Sequence, residues 1–274
     1  MPNLLDPRFS YLIGFVSGDG HLSASTRNRG RLAIELAATD KEILERLQKI
    51  IPGYSSITPR TRDTNFKDAY ESVILSVCGL KFRRWLVSCG IPYGNKSRII
   101  APPTKRFSKV DFLRGLIDAD GSLGFTKTNV PFVSLVTSSD AMKDFVVGFA
   151  RTHLGREKLV QRNARDDVYN LCFFAEDAQA LARLLYDSPC LALARKVEAA
   201  SKIRLWERPA GVKRIPNKKL WTREADQFIL THPVKVSAKK LVRTEQSIKC
   251  RLWRLGTNPQ STKVKKRNES SSSH

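Results

Sequence analysis

The segment FLRGLIDADGSLG (112–124) decides how this chain folds, because a looser copy of it, YLIGFVSGDGHLS (11–23), stands near the start. The two copies place Asp19 and Asp120 101 positions apart. Each copy is an apolar helical stretch that ends in Asp-Gly. Self-similarity at a fixed spacing indicates repeated structural units. The sequence therefore predicts two copies of one unit.

Further landmarks keep nearly the same spacing. Thr39-Asp40 opens a helical pattern in the first copy, and Ser139-Asp140 opens one in the second, 100 residues later. Lys96 and Lys196 are also 100 residues apart. We therefore predict a first half over residues 1–104 and a second half over residues 105–208.

Each half gives the same order of elements. A helix ends at Asp-Gly, a strand and an Asp-capped helix follow, and further extended segments lead into a closing helix. The strands are RLAIELA (31–37) and SVILSV (72–77) in the first half, and PFVSLVT (131–137) and YNLCFF (169–174) in the second. The closing helices are KFRRWLVSC (81–89) and AQALARLLY (178–186), the latter with an extension through ARKVEAASKIRLW (194–206). The pattern predicts an α+β fold, αββαββα twice, with antiparallel sheets.

A different module follows the repeat. We predict a linker over 209–219, rich in Pro, Gly and cations, a three-helix domain over 220–258 and a disordered tail over 259–274. Thr222, Ser237 and Thr244 are predicted helix caps, and Gly256 ends the last helix. The predicted core residues of this domain are Trp221, Phe228, Ile229, Leu241, Ile248, Leu252 and Trp253. On the third helix, four side chains are expected to face solvent: Gln246, Lys249, Arg251 and Arg254.

The charge of the chain points to a polyanion as its partner. Its 274 residues hold 48 Lys and Arg against 26 Asp and Glu, a net charge of +22. Such an excess favours nucleic acid, since neutralised phosphates release condensed counterions. An acidic membrane surface is the alternative, but no basic amphipathic helix or membrane-spanning run supports it. The five cysteines form no Cys-x-x-Cys pair, which is typical of a reduced, cytoplasmic protein.

The two apolar helices carry small residues four positions apart: Gly14 and Gly18 in one, Gly115 and Ala119 in the other. That spacing gives each helix a flat face on which two backbones could touch. The helices would then end together, with their two terminal carboxylates side by side. Paired carboxylates repel one another, and a divalent cation such as Mg²⁺ removes the conflict. The simpler alternative is that Asp-Gly only ends a helix with a glycine cap.

At this point the chain resembles a known family. LRGLIDADG (113–121) differs at one position from the nonapeptide that names the LAGLIDADG homing endonucleases, and LIGFVSGDG (12–20) is a looser copy. The resemblance covers about residues 9–206 and is to the single-chain members, which carry two motifs. It implies that the motif helices form the interface between the halves, and that curved sheets lie in the DNA major groove.

The resemblance also implies the chemistry. It makes Asp19 and Asp120 the catalytic acids, which bind Mg²⁺ or another divalent cation. The family motif has a second acidic position, which is Asp118 in the second copy but Ser17 in the first. The implied activity is a double-strand break with short 3′ overhangs at a long asymmetric DNA site, made by a monomer wherever the target DNA lies, in the cytoplasm or an organelle. The implied biological role is intron mobility.

Cationic residues are the remaining candidates. Lys96 and Lys196 are either catalytic cations near the carboxylates or lysines that are solvated or clamp a phosphate. Arginine forks suit guanine edges as well as phosphates, so basic residues on or beside the strands are candidate DNA contacts. They are Arg27, Arg29, Arg31, Arg60, Arg62, Lys127, Arg162 and Arg165, together with the four on the third helix of the C-terminal domain: Gln246, Lys249, Arg251 and Arg254.

Other functions remain open at this point. A catalytically silent DNA-binding regulator of the same fold is one alternative, against which both carboxylates argue. An RNA-splicing maturase is another. The C-terminal domain resembles a Myb-like or helix-turn-helix module, whose last helix enters the major groove, and a basic protein-interaction module is its alternative.

Overall fold

The computed structural model describes residues 2–26, 29–63, 69–187, 189–211 and 221–256. Two units divide the chain, residues 1–211 and residues 212–274. The predicted linker over 209–219 lies mostly outside the described residues, and the predicted tail over 259–274 lies wholly outside them. No helix within the described ranges is long and apolar enough to cross a membrane.

The first half begins with a well-capped helix. Asp6 accepts a hydrogen bond from the backbone of Arg8, and a proline opens the first turn, so two usual start signals coincide. The elements of this half are α1 (Pro7–Asp19), β1 (Gly20–Leu22), β2 (Leu32–Ala37), α2 (Lys41–Ile50), β3 (Ser55–Arg62), β4 (Tyr70–Val77) and α3 (Leu80–Ser88).

The second half repeats this order. Ser108 caps its first helix through the backbone of Asp111, and Ser139 caps α5 through Met142. The elements are α4 (Lys109–Asp120), β5 (Gly121–Phe125), β6 (Pro131–Thr137), α5 (Asp140–Leu154), β7 (Arg162–Asn163), β8 (Val168–Phe174), α6 (Glu176–Tyr186) and α7 (Ala194–Arg204).

The two sheets have the same topology, β1-β2-β4-β3 and β5-β6-β8-β7, and all their pairs are antiparallel. The predicted α+β fold with αββαββα in each half is therefore confirmed. One detail is wrong: residues 194–204 form a separate helix, not an extension of α6. Pro189 lies in the connection, and proline cannot continue a helix.

Side chains alternate between the two faces of each sheet. In β2, Leu32, Ile34 and Leu36 are buried against the helices, and their partners on β4 are buried with them. The intervening residues of β2 lie on the opposite face, where they are partly exposed. We call these surfaces the first open face, on the sheet β1–β4, and the second open face, on the sheet β5–β8.

The two edge strands differ in length. β3 pairs with β4 over eight residues, whereas β7 pairs with β8 over two, Arg162 and Asn163. The halves therefore share a topology but present sheets of unequal width.

The motif helices α1 and α4 pack against each other through backbone. A Cβ atom built on Gly14 would lie 2.0 Å from the carbonyl oxygen of Phe112, and one on Gly115 would lie 2.1 Å from that of Tyr11. No side chain fits at such distances, so glycine is required at both positions. The flat helix faces expected from the sequence are thus the interface between the halves.

The C-terminal unit contains α8 (Arg223–Thr231), α9 (Val234–Leu241) and α10 (Glu245–Arg254). Its core consists of Ile229, Ala238, Ile248 and Leu252, with Trp221, Val234 and Leu241 packed against it. Thr222 and Thr244 cap α8 and α10, as predicted.

Three predictions in this unit are wrong. Ser237 does not cap α9, because that helix already begins at Val234, and its hydroxyl donates to the carbonyl of His232 instead. Trp253 is 73% exposed and lies outside the core. Phe228 is also outside the core and stacks on the His232 ring, with 3.8 Å between ring centroids.

Candidate active site at the ends of the motif helices

Each motif helix ends in an aspartate, and the chain passes directly into a strand at the next glycine. Gly20 and Gly121 are extended, with φ of −77° and −89°, so neither is a left-handed cap. A Cβ on Gly121 would lie 2.7 Å from the carbonyl oxygen of Ile117. The glycine of Asp-Gly is needed for close approach, and the simple glycine-cap explanation does not apply.

The packed helices bring the two carboxylates together. A Cβ atom on Gly18 would meet the Ala119 Cβ at 2.5 Å and a carboxylate oxygen of Asp120 at 2.9 Å. Because the two helices are this close at their ends, Asp19 and Asp120 face each other across the interface between the halves.

Burial disfavours the charged form of both acids, and at Asp19 the charge of Asp120 adds to this effect. Burial first, and then the charge of Asp120, raise the pKa of Asp19 to about 6. Burial likewise raises the pKa of Asp120, while Lys96 and Lys196 oppose the shift. By solvent exposure Asp19 is half-buried and Asp120 is exposed. Two facing carboxylates with raised pKa values form a site that a divalent cation would stabilise.

Each half contributes one lysine to the site, and the two lysines occupy equivalent positions. The Lys96 ammonium donates to the carbonyl oxygens of Gly18, at 2.7 Å, and Gly20. The Lys196 ammonium donates to those of Ile117 and Gly121, the latter at 2.6 Å. Each lysine therefore binds carbonyls at the C-terminal end of one motif helix, where the helix dipole favours a cation.

Neither lysine fits the solvated alternative. Lys196 is 4% exposed, and burial lowers its pKa to about 8. Burial also lowers the pKa of Lys96, which lines a cavity of about 350 Å³ together with Asp120, Gly18 and Ser97. The spacing of the two lysines along the sequence gave no sign of these carbonyl contacts.

The other acid of the second motif has a different environment. Asp118 is fully buried and accepts hydrogen bonds from the hydroxyls of Tyr11 and Tyr186, both at 2.7 Å, and from the backbone of Leu193 at 2.8 Å. Ser17, at the matching place of the first motif, donates to its own helix. Asp118 therefore joins the two halves and does not belong to the carboxylate pair.

Two further charged contacts between the halves were not foreseen. Arg195 binds Asp40 at 3.0 Å, so Asp40 pairs across the halves and does not cap α2 with its side chain. Arg46 on α2 donates to the carbonyl of Cys190 at 2.7 Å. The only sequence signal for Arg195 was its position next to Lys196.

The raised pKa of Asp19 predicts a pH-dependent effect on stability. Since the folded pKa of about 6 lies above the ordinary value of 3.8, ionisation of this group destabilises the folded state as pH rises from about 4 to about 6. In chelator at about pH 7.5, Asp19→Asn should increase the free energy of unfolding by about 3 kcal/mol, and the gain should fall to about 1 kcal/mol near pH 4.5.

Urea unfolding of wild type, Asp19→Asn and the exposed control Glu207→Gln at both pH values measures this difference. If Asp19→Asn leaves the free energy of unfolding unchanged or lowers it at the higher pH, the carboxylate is not destabilised in the folded protein. The control should change stability by less than about 0.5 kcal/mol at either pH.

Of the predicted DNA contacts in the first half, four can be placed. Arg60 and Arg62 lie on the first open face, where both bind Glu35 at 3.3 Å. Arg29 and Arg31 are exposed in the connection that precedes β2. The fifth candidate, Arg27, lies outside the described residues.

The second half departs from the prediction at one position. Arg162 is opposite Tyr169, whose side chain is buried, and it binds Asp140, Asp167 and the carbonyl of Ser138. It therefore lies on the helix side of its sheet and not on the second open face. Lys127 and Arg165 are exposed in the turns at opposite ends of the sheet.

On α10, three of the four predicted contacts are exposed: Gln246, Lys249 and Arg254. The prediction that Arg251 faces solvent is wrong. Arg251 forms a half-buried ion pair with Asp226, at 2.8 Å from the guanidinium Nε, and lies over the Trp221 ring. Trp253 lies on the exposed side of the helix instead, although its aromatic character predicts a place in the core.

The residues that the structure describes include no group of three or more His, Cys, Asp and Glu side chains that could hold a metal ion. A magnesium ion does not need such a group, since it is often held by one or two carboxylates with water and substrate phosphate as further ligands. The donor set of Asp19 and Asp120 fits that type of site.

Comparison with known proteins places the fold. A family model described as LAGLIDADG-like domain matches residues 6–85. Comparison of the sequence with curated proteins gave no match.

Two solved structures are similar over both halves. Mesophilic variants of the homing endonuclease I-DmoI align with 73% of this chain and 100% of their own, at 17% identity and a TM-score of 0.50. The homing endonuclease I-WcaI, bound to its DNA recognition sequence, aligns over 72% and 88%, at 14% identity and a TM-score of 0.51. The chain therefore has the fold of the LAGLIDADG homing endonucleases.

Proposed function

We propose that this chain is a site-specific DNA endonuclease that makes divalent-metal-dependent double-strand breaks with short 3′ overhangs. The observation that carries the proposal is the pair Asp19 and Asp120, held face to face by glycine contacts between α1 and α4. A structural helix interface requires no such pair, because facing carboxylates repel one another unless a cation compensates them.

Asp19 and Asp120 would hold the ion, Mg²⁺ or a similar hard cation. A bound ion of this kind supplies Lewis-acid activation of the scissile phosphate and of water. The two aspartates fix where the phosphate must lie, between the ends of the two motif helices.

The two lysines reduce the negative charge around this position. Lys96 and Lys196 neutralise the negative ends of the motif helices through their carbonyl contacts, and they lower the repulsion between the carboxylates. We infer that both are positioning residues and electrostatic partners of the site.

The substrate class follows from charge and shape. The net charge of +22 favours a polyanion, and the open faces begin at Gly20 and Gly121, directly beside the carboxylates. Duplex DNA lying on both faces would present one phosphate of each strand to the site. Because the two sheets differ, the recognised site is expected to be asymmetric, and one chain supplies both halves of it as a monomer. We expect action wherever the target DNA is, in the cytoplasm or an organelle, and a role in intron mobility.

Incubation of a randomised DNA pool with the protein tests this function. With Mg²⁺ a subset of duplexes should be cut on both strands, and with a chelator the same subset should only be bound. Binding without cutting in both conditions would identify a catalytically silent regulator. Binding of structured RNA in preference to DNA would favour a maturase.

The C-terminal unit is proposed as a second DNA contact of the helix-turn-helix type. Helices α9 and α10 are joined by a three-residue turn, and Gln246, Lys249 and Arg254 are exposed on α10. Residues 211–274 hold 16 Lys and Arg against 4 Asp and Glu, a density that suits phosphate contacts.

Deletion of residues 212–274 is therefore expected to leave the active site intact and to weaken DNA binding by about 10²–10⁴-fold, since tethered modules raise each other's effective concentration. The shortened protein should still cut at high concentration, protect a shorter stretch of DNA and show a shallower salt dependence. A footprint and salt slope equal to those of the full chain would point to a protein-binding role for this unit.

A further inference from the structure

The two open faces differ in chemical character. On the first open face, the strands present His21, Glu35, Arg60 and Arg62 among uncharged residues such as Ala33, Thr58, Ile74 and Ser76. On the second, the register places Ser122, Gly124, Phe132, Ser134, Val136, Asn170, Cys172 and Phe174. None of these described strand residues of the second face carries a charge.

Large apolar side chains on this second face are exposed. Phe174 is 50% exposed and Val136 is 47% exposed. Phe132 is paired directly with Phe174 across the strands and lies over Gly124, whose Cβ position would be 3.6 Å from the Phe132 ring. Phe132, Phe174 and Gly124 form a flat apolar shelf, which we call the Phe132–Phe174 shelf, and Val136 lies four residues from Phe132 on the same face of β6.

An exposed apolar shelf on a soluble domain marks an interaction surface. Two features of its position select DNA as the occupant. β5 begins at Gly121, directly after Asp120, so the face is continuous with the carboxylate site. Exposed basic residues lie in the turns at both its ends, Lys127 between β5 and β6 and Arg165, which is paired with Asp166, between β7 and β8.

An uncharged face with a basic residue in the turn at each end suits a base-reading surface whose phosphate contacts lie at its margins. In the major groove, the feature that an apolar side chain recognises is the 5-methyl group of thymine. Charged forks, in contrast, suit guanine edges and phosphates, which matches Arg60 and Arg62 on the other sheet.

We propose that the second half recognises its part of the target through thymine methyl groups that pack on the Phe132–Phe174 shelf, whereas the first half reads by charged and polar contacts. This inference rests on the proposed function, and it names the base chemistry that one half of the site requires. It makes Phe132, Phe174 and Val136 specificity-determining residues.

Deoxyuridine substitution tests the proposal on the DNA itself. The full chain selects duplexes from a randomised pool in chelator, and each thymine of a selected duplex is then replaced by deoxyuridine, which lacks only the methyl group. At one or more thymines on one side of the cleavage position, affinity should fall by about fourfold per methyl group. Thymines on the other side should be insensitive.

Phe174→Ala and Phe132→Ala then assign the sensitive side. Each variant should bind the selected duplex more weakly, and deoxyuridine at the contacted position should cause no further loss. Arg62→Ala is the matched control on the first open face. It should retain the deoxyuridine sensitivity and instead lower the slope of log affinity against log salt by about 1.

Three results would overturn the proposal. Deoxyuridine could be neutral at every position, or its effect could persist in both phenylalanine variants. Alternatively, sedimentation could reveal a dimer of the chain that Phe174→Ala dissociates, which would assign the shelf to a second copy. Selection of no duplex at all would instead refute the proposed function, so the two failures are distinguishable.

Discussion

Asp120→Asn is expected to abolish double-strand cleavage in Mg²⁺ while DNA affinity stays within a few-fold of wild type. The substitution keeps the shape of the side chain but removes a charged ligand of the ion. Since a catalytic metal contributes several kcal/mol to the transition state, the cleavage rate should fall by about a thousandfold or more. Asp19→Asn should have the same effect. Single-turnover cleavage and equilibrium binding on one selected duplex measure both quantities.

Asp118→Asn is the matched control, because it replaces the other acid of the same motif. This variant loses acceptor capacity for Tyr11, Tyr186 and the Leu193 amide, so we expect about 1–3 kcal/mol lower stability. Below its melting temperature it should still cut DNA. Wild-type cleavage by either Asp19→Asn or Asp120→Asn would remove these residues from the active site.

Gly115→Leu is expected to separate the halves. Even a Cβ at this position would lie 2.1 Å from the Tyr11 carbonyl oxygen and 2.8 Å from the Phe15 nitrogen, and both are backbone atoms that cannot rotate away. Overpacking costs typically 1–3 kcal/mol, and a backbone clash places this variant at about 3 kcal/mol or more. For a unit of this size the melting temperature should fall by roughly 6–12 °C or more.

Gly148→Ala provides the control for that experiment. Gly148 lies within α5, and no atom stands within 4 Å of the position of an added Cβ. Alanine there should raise stability by up to about 1 kcal/mol, since it restricts the unfolded chain and favours helix. A melting temperature unchanged by Gly115→Leu would mean that the helices do not meet at this glycine.

Local sequence patterns determined the repeat, the element order and the carboxylate pair. The small residues at Gly14, Gly18 and Gly115 leave only one way for two apolar helices to approach closely, and this approach fixes the relation of the halves. A duplicated motif therefore predicted a contact between residues about a hundred positions apart.

The faces on which the strand side chains lie could not be predicted, because they depend on the strand register. Arg162 and Arg62 both lie near the end of an edge strand, yet the pairing of Arg162 with Tyr169 turns it to the helix side. A shift of one residue reverses the face of every side chain, and strand boundaries read from sequence are less accurate than that. The apolar second open face was missed for the same reason.

The polar partners of several charged side chains also could not be predicted from the sequence. Asp118, Arg251 and Asp40 each bind residues far along the chain or in another helix, at positions that periodicity alone assigns to solvent or to a cap. Trp253 shows the converse, because an aromatic residue at helical spacing was predicted to be buried and is exposed. Tertiary packing decides such positions, and local pattern does not.

Anomalous diffraction at the manganese edge, from crystals of the protein with a selected duplex and Mn²⁺, tests the central claim most directly. The account predicts a peak between the motif helices, within about 2.0–2.5 Å of a carboxylate oxygen of Asp19 and of Asp120 and beside a phosphate. A peak bound elsewhere on the chain, or a complex that cuts DNA with no ion at these two aspartates, would contradict it.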